Sequence, residues 1–255
     1  GTILAGQGTS TISVNWETCG PYDISVQSYN SCATSQPLSM TLPASSIHDN
    51  MGLCLISVDS TSQYNIIVWE KPLTSAIDSF IVYREVTQGV YNRIGALPYS
   101  DESRFNDYNS DPNVTSHRYR ISVLDTCGNE TLKSPFHNSI HLQHLGNGNL
   151  SWSHYAIEGQ QNPVDFYRVY RDDNSTGNFL PISTTVPGGN NSYTDVNFSS
   201  YPNASYLVDV AWGLSCDPSR AITTTRSNRY VGQFPVGMGH SAGDTHAMHP
   251  YPKPA

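Results

Sequence analysis

Short runs of alternating apolar and polar residues recur along the chain, and turn-forming residues separate them. No stretch of 12 residues keeps apolar side chains at the helical spacing without β-branched or turn residues in between. Alternation with a period of two is typical of half-buried strands, and many short strands divided by turns are typical of β-sandwiches. The pattern therefore predicts an all-β protein made of antiparallel sandwiches.

The strand candidates fall into three groups, of which the first is incomplete. Residues 1–47 contain only three of them, at 11–16, 22–29 and 38–42. Because an open sandwich needs about seven strands, we predict that 1–47 is the C-terminal part of a domain. The second group, residues 52–143, offers seven candidates: 53–58, 65–69, 79–85, 92–96, 103–107, 117–124 and 139–141.

The third group, residues 148–231, repeats the second. Four segments match in the same order: 67–69 with 150–152, 80–84 with 166–171, 104–107 with 192–195, and 119–123 with 206–210. Such an internal repeat predicts two copies of one sandwich fold. Residues 232–255 are rich in Pro, His and Gly and show no period, so we predict an extended tail there.

Several of these segments resemble a known family. Val68-Trp69-Glu70-Lys71-Pro72, 77–85 and 124–130 resemble tandem fibronectin type III repeats of large secreted proteins of Bacteroidota-type bacteria, which use the type IX secretion route. Residues 8–16 resemble the second half of the PKD- or Ig-like repeat that commonly precedes them. The resemblance implies tandem Ig-like and fibronectin type III-like sandwiches, the first one partial, in an extracellular or cell-surface protein. It implies no ligand, since such repeats occur in adhesins and as spacers of secreted enzymes.

The low number of charged residues and the negative net charge limit the classes of partner that the chain can bind. Only 13% of the residues are charged, the formal net charge is -8, and Lys and Arg number 13. Phosphate binding needs clustered basic residues, so nucleic acid is not expected as a partner. No apolar run approaches the length of a membrane span.

The cysteines suggest one disulfide. Cys54 begins the first strand of the second group and Cys127 follows its sixth strand, so both belong at one pole of a sandwich. We therefore expect a Cys54–Cys127 bridge; the alternative is two buried free thiols. Cys19 and Cys32 flank one extended strand, which holds them too far apart for a bridge. Cys216 has no obvious partner.

Few other residues are candidates for binding a metal ion or another ligand. His240, Asp244, His246 and His249 of the tail are weak candidates for transition-metal ligands, and no metal or other cofactor is predicted. The Asp125–Glu130 loop has oxygen ligands of the kind calcium prefers, but turn formation explains them more simply. Trp212 alone among the four Trp residues lacks a core-like counterpart, which makes it a weak candidate for ligand binding.

These observations favour a non-catalytic function, because none of the common catalytic motifs occurs. The leading hypothesis is a structural or adhesive module of a cell-surface protein. Strands from a neighbouring copy would complete its N-terminal sandwich and build a filament, or the remainder of a longer chain would cover it. The alternative is a spacer or carbohydrate-binding domain of a secreted polysaccharide-degrading enzyme, with a glycan as the partner.

Overall fold

A computed structural model of the protein describes residues 1–16, 19–42, 51–72, 77–211, 222 and 224–231. These residues form β-strands joined by turns, with one short 3-10 helix at Phe198–Ser200, which confirms the all-β prediction. The strands are β1 (Thr2–Ala5), β2 (Ser13–Asn15), β3 (Tyr22–Val26), β4 (Leu38–Leu42), β5 (Leu53–Val58), β6 (Asn65–Trp69), β7 (Ile77–Thr87), β8 (Val90–Pro98), β9 (Arg104–Asp107), β10 (Arg118–Asp125), β11 (His137–Asn138), β12 (Leu142–His144), β13 (Asn149–Trp152), β14 (Ala156–Ile157), β15 (Phe166–Asp172), β16 (Leu180–Pro187), β17 (Ser192–Thr194), β18 (Ser205–Ala211), β19 (Thr225–Arg226) and β20 (Tyr230–Val231).

The first sandwich is built from β5 to β11. Strands β5, β6 and β9 form one antiparallel sheet, and β8, β7, β10 and β11 form the other. Trp69 of the first sheet packs against Phe80 of the second with 5.3 Å between ring centroids, and Ile67, Val82 and Ile121 belong to the same core. Each such buried side chain contributes about 1.5–3 kcal/mol through removal of apolar surface from water.

The second sandwich repeats this arrangement from β12 to β20. Strands β12, β13 and β17 form its three-stranded sheet, and β16, β15, β18 and the pair β19 and β20 form the other. A three-stranded sheet facing a four-stranded one, in this strand order, is the arrangement of a fibronectin type III sandwich. The strand predicted at 139–141 is wrong, because those residues connect β11 to β12.

Both sandwiches contain the same buried polar network. Arg84 donates to Asp107 at 2.7 Å, and the hydroxyl of Tyr119 donates to the same carboxylate at 2.9 Å. In the second sandwich Arg171 and Tyr206 donate to Asp195 at 2.8 and 2.9 Å. The residues at matching positions of the two sandwiches are therefore Arg84 and Arg171, Asp107 and Asp195, and Tyr119 and Tyr206. The network joins strands of both sheets, so it fixes how the two layers meet.

The two sandwiches are joined through one continuous core rather than by a linker alone. Tyr155, between β13 and β14, is fully buried, and its hydroxyl accepts a hydrogen bond from the Ile56 N–H of the first sandwich at 3.1 Å. Strand β14 pairs with β11 and so adds a strand of the second repeat to a sheet of the first. The backbone N–H of Arg229 donates to the Ser62 hydroxyl at 2.7 Å. The described parts of the two sandwiches therefore share one core and one extended sheet.

Strand β6 shows why the contact is extensive. All five of its residues are buried, including those on the face directed away from the core of the first sandwich. On that outer face Ile66 and Val68 pack with Leu55, Tyr64 and Ile222. The sequence of a strand that is covered on both faces is a continuous apolar run instead of an alternating one. Strand β6 has such a run in Ile66-Ile67-Val68-Trp69.

A buried histidine at this junction makes stability depend on pH. His137 lies 2.7 Å from the Tyr155 hydroxyl through its Nδ1, and burial lowers its pKa from 6.5 to about 4. Between those values the unfolded chain binds a proton that the folded chain does not, so stability falls as the pH falls from 6.5 to 4. We expect a loss of about 3 kcal/mol from this group. Urea unfolding of wild type and His137→Gln at pH 7 and pH 4 checks it, and equal losses in both proteins would contradict it.

The N-terminal region consists of two hairpins. Strands β1 and β2 form one and β3 and β4 the other, and in the described part of the chain neither pairs with any other strand. The Trp16 and Tyr22 rings stack at 4.2 Å between centroids, which connects the two hairpins. Four strands in two separate pairs are half of a sandwich at most. That residues 1–47 are the C-terminal part of a domain stays a prediction, since its boundary lies outside the described residues.

Candidate interaction surface

One side of the second hairpin is an exposed apolar surface. The register of β3 and β4 pairs Tyr22 with Leu42, Ile24 with Met40, and Val26 with Leu38. Because side chains alternate along a strand, these six lie on one side of the hairpin and Asp23, Ser25, Ser39 and Thr41 on the other. We call the six apolar residues the hairpin face.

Half of the hairpin face is exposed to solvent: Val26, Leu38 and Met40 are exposed, whereas Tyr22, Ile24 and Leu42 are half-buried. Leu38 is 78% exposed and Met40 58% exposed, although both sit in a regular strand. The outer edges of β3 and β4 have no described strand partner, and an edge of this kind is a template for pairing with a strand of another chain. An isolated two-stranded hairpin is marginal in water, and a third strand or a covering layer is what stabilises it.

The first hairpin has the same character. Ile3, Leu4 and Ile12 are exposed, and the register places Ile3 opposite Val14. The outer edges of β1 and β2 also lack a strand partner among the described residues. The region therefore carries both an apolar face that can be covered and extended segments that can cover another one.

A disulfide attaches this region to the first sandwich. Cys19, three residues before β3, is bonded to Cys127, in the loop after β10, with 5.4 Å between the Cα atoms. The expected Cys54–Cys127 bridge is therefore wrong, and so is the alternative of free thiols, because Cys54 is itself disulfide-bonded. The pole of the sandwich was placed correctly, but the N-terminal hairpins reach the same pole and supply the partner of Cys127. As expected, Cys19 does not pair with Cys32, which is an exposed free thiol.

The loop that carries Cys127 is organised by its own hydrogen bonds. Asp125 accepts from the backbone N–H groups of Cys127 and Asn129, both at 2.8 Å. Glu130 accepts from the hydroxyls of Ser122 and Tyr83. These contacts agree with turn formation, and the described residues include no group of three or more His, Cys, Asp or Glu that could hold a metal ion.

The remaining candidates lie outside the described residues. They are the weak metal candidates His240, Asp244, His246 and His249, the weak ligand-binding candidate Trp212, and Cys216. The predictions attached to them, including the extended tail at 232–255, stay predictions. Among the described residues, no helix is long and apolar enough to cross a membrane.

A second feature, which sequence reasoning missed, is a cavity of about 310 Å³ where the two sandwiches meet. It is lined from the first sandwich by Ser57, Asp59, Tyr64 and Arg104, and from the second by Thr224 and Arg226. Comparison of the two repeats could not predict this cavity, because it is formed between the repeats and not within either one.

Comparisons with known proteins show what the chain is similar to. No protein-family model matches it, and no curated protein matches it. Among solved structures, the fibronectin type III array of RIM-binding protein is 14% identical over 73% of this chain and 70% of that chain, with a TM-score of 0.28. Domains FN1–FN3 of chicken CNTN1 are 13% identical over 79% of this chain and 72% of theirs, also at 0.28.

A third similar structure is a β-1,2-glucanase from Parabacteroides distasonis, at 17% identity and a TM-score of 0.27. That match spans 38% of this chain and only 14% of the glucanase. At TM-scores this low none of the three likenesses carries a conclusion about function. The strand order of the two sandwiches itself establishes the fold.

Proposed function

We propose that the chain is a non-catalytic structural or adhesive unit of an extracellular or cell-surface protein. Its N-terminal half-sandwich is completed by β-strands from a second copy of the chain, and the contact repeats from copy to copy to build a filament. The observation that carries this proposal is the exposure of Val26, Leu38 and Met40 on a two-stranded hairpin that no other described strand joins. The Cys19–Cys127 disulfide supports the extracellular setting, since such bonds persist in oxidising compartments.

A second copy is the favoured partner because one hairpin has an apolar face to be covered and the other has apolar strands that can cover such a face. The hairpin face needs apolar strands, and the first hairpin offers Ile3 and Leu4 in β1 and Ile12 just before β2, with no described strand partner on its outer edges. Strand addition of this type gains main-chain hydrogen bonds along the edge and apolar contacts on alternate side chains. When the donor and acceptor are different surfaces of one molecule, the contact is heterologous and extends without closing.

The test is to make the hairpin face polar. We expect the wild type to assemble as its concentration rises, and the triple variant Val26→Ser, Leu38→Ser, Met40→Ser to need about a hundredfold higher concentration, since about 3 kcal/mol of apolar contact is removed. Analytical ultracentrifugation measures the masses, and negative-stain electron microscopy separates fibres from closed particles.

A matched control keeps this experiment specific. Val86 and Val90 are 50% and 51% exposed on the first sandwich, far along the chain from the hairpin face. The double variant Val86→Ser, Val90→Ser should assemble as the wild type does. A wild type that stays monomeric at every concentration would contradict completion by a second copy, and residues of a longer chain would then be the covering layer.

The second candidate function is a spacer or carbohydrate-binding domain of a secreted polysaccharide-degrading enzyme. The cavity between the sandwiches favours it, because ligand sites occur preferentially where domains meet. Trp212 remains a candidate contact under this alternative, and glycan-array binding that Trp212→Ala abolishes would support it.

A further inference from the structure

The cavity where the two sandwiches meet, here named the seam cavity, holds an unusual set of charges. Of the nine arginines in the described part of the chain, six form an ion pair with a carboxylate: Arg84, Arg118, Arg120, Arg168, Arg171 and Arg229. The other three, Arg93, Arg104 and Arg226, have no ion pair within 4 Å among the described residues, and Arg104 and Arg226 line the seam cavity. Arg226 lies opposite Asp209 on the neighbouring strand and interacts with its charge at longer range, while the Asp209 carboxylate is bound by both ends of the Arg168 guanidinium. In a chain with a net charge of -8, two such guanidinium groups in one cavity call for an explanation.

Hydrogen bonds hold both guanidinium groups by one nitrogen each. The Nε of Arg104 donates to Asn106 Oδ1 at 3.1 Å, and the Nε of Arg226 donates to the Val58 carbonyl at 3.3 Å. The terminal nitrogens of both have no hydrogen-bond acceptor among the described residues. A guanidinium fixed through Nε still has two terminal NH₂ groups, one N–H of each of which can bind a planar anion.

Asp59, the carboxylate among the described lining residues, already accepts hydrogen bonds from its own loop. Asp59 accepts from the backbone N–H groups of Thr61 and Tyr64 at 2.8 and 2.9 Å, and also from the Gln63 N–H and the Thr61 hydroxyl. Burial alone raises the pKa of Asp59, but these hydrogen bonds outweigh it, and its pKa lies below the ordinary value. Asp59 therefore stays ionised and turned to its own loop, and the two arginines leave the lining with a net positive charge.

The other lining groups suit a small polar ring. The hydroxyls of Ser57, Ser60 and Thr224 can donate and accept hydrogen bonds, and the Tyr64 ring with Ile66 supplies an apolar wall. A volume of about 310 Å³ is at the small end of ligand sites. Guanidinium groups bind carboxylates through two parallel N–H···O bonds, hydroxyls match sugar hydroxyls, and an aromatic wall matches the C–H face of a pyranose.

We propose that the seam cavity binds a carboxylate-bearing sugar, that is, one uronic acid unit of an acidic glycan, with Arg104 and Arg226 on its carboxylate. Both sandwiches line the site, so a bound sugar also stabilises their contact. This site is separate from the hairpin face, so the failure of the filament proposal leaves it standing. It rests on the carbohydrate-binding alternative, for which it names the site and the sugar class; glycan binding that is unaffected by Arg104→Ala and Arg226→Ala would overturn the site and leave that alternative standing.

The experiment is a calorimetric titration of the whole chain with the methyl glycosides of glucuronate and galacturonate. We expect at least one of them to bind, and methyl glucoside, which lacks the carboxylate, to bind at least about tenfold more weakly. Arg104→Ala and Arg226→Ala should each weaken binding at least tenfold. Arg93→Ala is the matched control, because Arg93 also has no ion pair within 4 Å among the described residues but lies on β8, outside the described lining of the cavity.

Each remaining outcome decides the proposal. Acetate binding as tightly as the uronic acids would overturn the sugar and leave a bare anion site. Absence of binding by both uronic acids, or equal loss in Arg93→Ala, would overturn the cavity assignment. Circular dichroism and thermal melting show whether each variant is folded. Arg104→Lys keeps the positive charge but removes the planar guanidinium and its parallel N–H donors, so a loss of affinity in that folded variant supports recognition by paired N–H groups.

Discussion

Replacing Asp107 with Ala should lower the free energy of unfolding by about 3–5 kcal/mol, one of the two largest effects that we expect from a single substitution. Asp107 is buried and accepts hydrogen bonds from Arg84 and from the Tyr119 hydroxyl. Without it, a partly buried guanidinium loses its counter-ion and a fully buried phenol loses its acceptor. Urea denaturation followed by Trp fluorescence measures the change.

The repeat supplies an internal check on this result. Asp195→Ala removes the equivalent carboxylate, which Arg171 and Tyr206 share, and should cost a similar amount. Asp173 also pairs with Arg171, but its side chain is 39% exposed, so Asp173→Ala should cost less than about 1 kcal/mol. If Asp107→Ala costs no more than Asp173→Ala, the buried network does not fix the sandwiches as described.

Replacing Tyr155 with Ala should destabilise the protein by about 3–5 kcal/mol and separate the unfolding of the two sandwiches. Its ring belongs to the core shared by both repeats, and its hydroxyl accepts the Ile56 N–H. The substitution leaves a cavity at the junction and a buried N–H without its acceptor. Differential scanning calorimetry should show one cooperative transition for the wild type and two for the variant.

Two further variants assign the cause of this effect. Tyr155→Phe keeps the ring and removes the hydroxyl, so it should cost only about 1–3 kcal/mol and keep a single transition. Tyr29 is 85% exposed, so Tyr29→Ala should change stability by less than about 0.5 kcal/mol. Two separate transitions in the wild type would show that the shared core does not couple the sandwiches.

Much of each sandwich follows from local pattern. The predicted strands at 53–58 and 65–69 coincide with β5 and β6, and those predicted at 79–85 and 117–124 nearly coincide with β7 and β10. Alternation and β-branched residues identify such strands because the force that buries them acts on one repeat at a time. The four matched segments of the repeat are confirmed as equivalent strands for the same reason.

What the pattern did not predict depends on contacts between repeats. Strand β14 has two residues, and its only described strand partner is β11 of the other repeat, so it forms by pairing across the junction. The Cys19–Cys127 bond and the seam cavity likewise depend on which distant segments meet. The one local clue was the unbroken apolar run of β6, which indicates a strand covered on both faces.

The attachment of the N-terminal hairpins determines how they can move. The peptide chain enters the first sandwich at Leu53, beside Trp69, and Cys127 follows the strand that ends opposite Ile77, at the same pole. A second covalent attachment removes orientations that a single connection would allow, and the Cys19–Cys127 bond is such an attachment. It restricts how the hairpin face can be oriented relative to the first sandwich. An incoming strand therefore has a smaller range of orientations to search before it can pair.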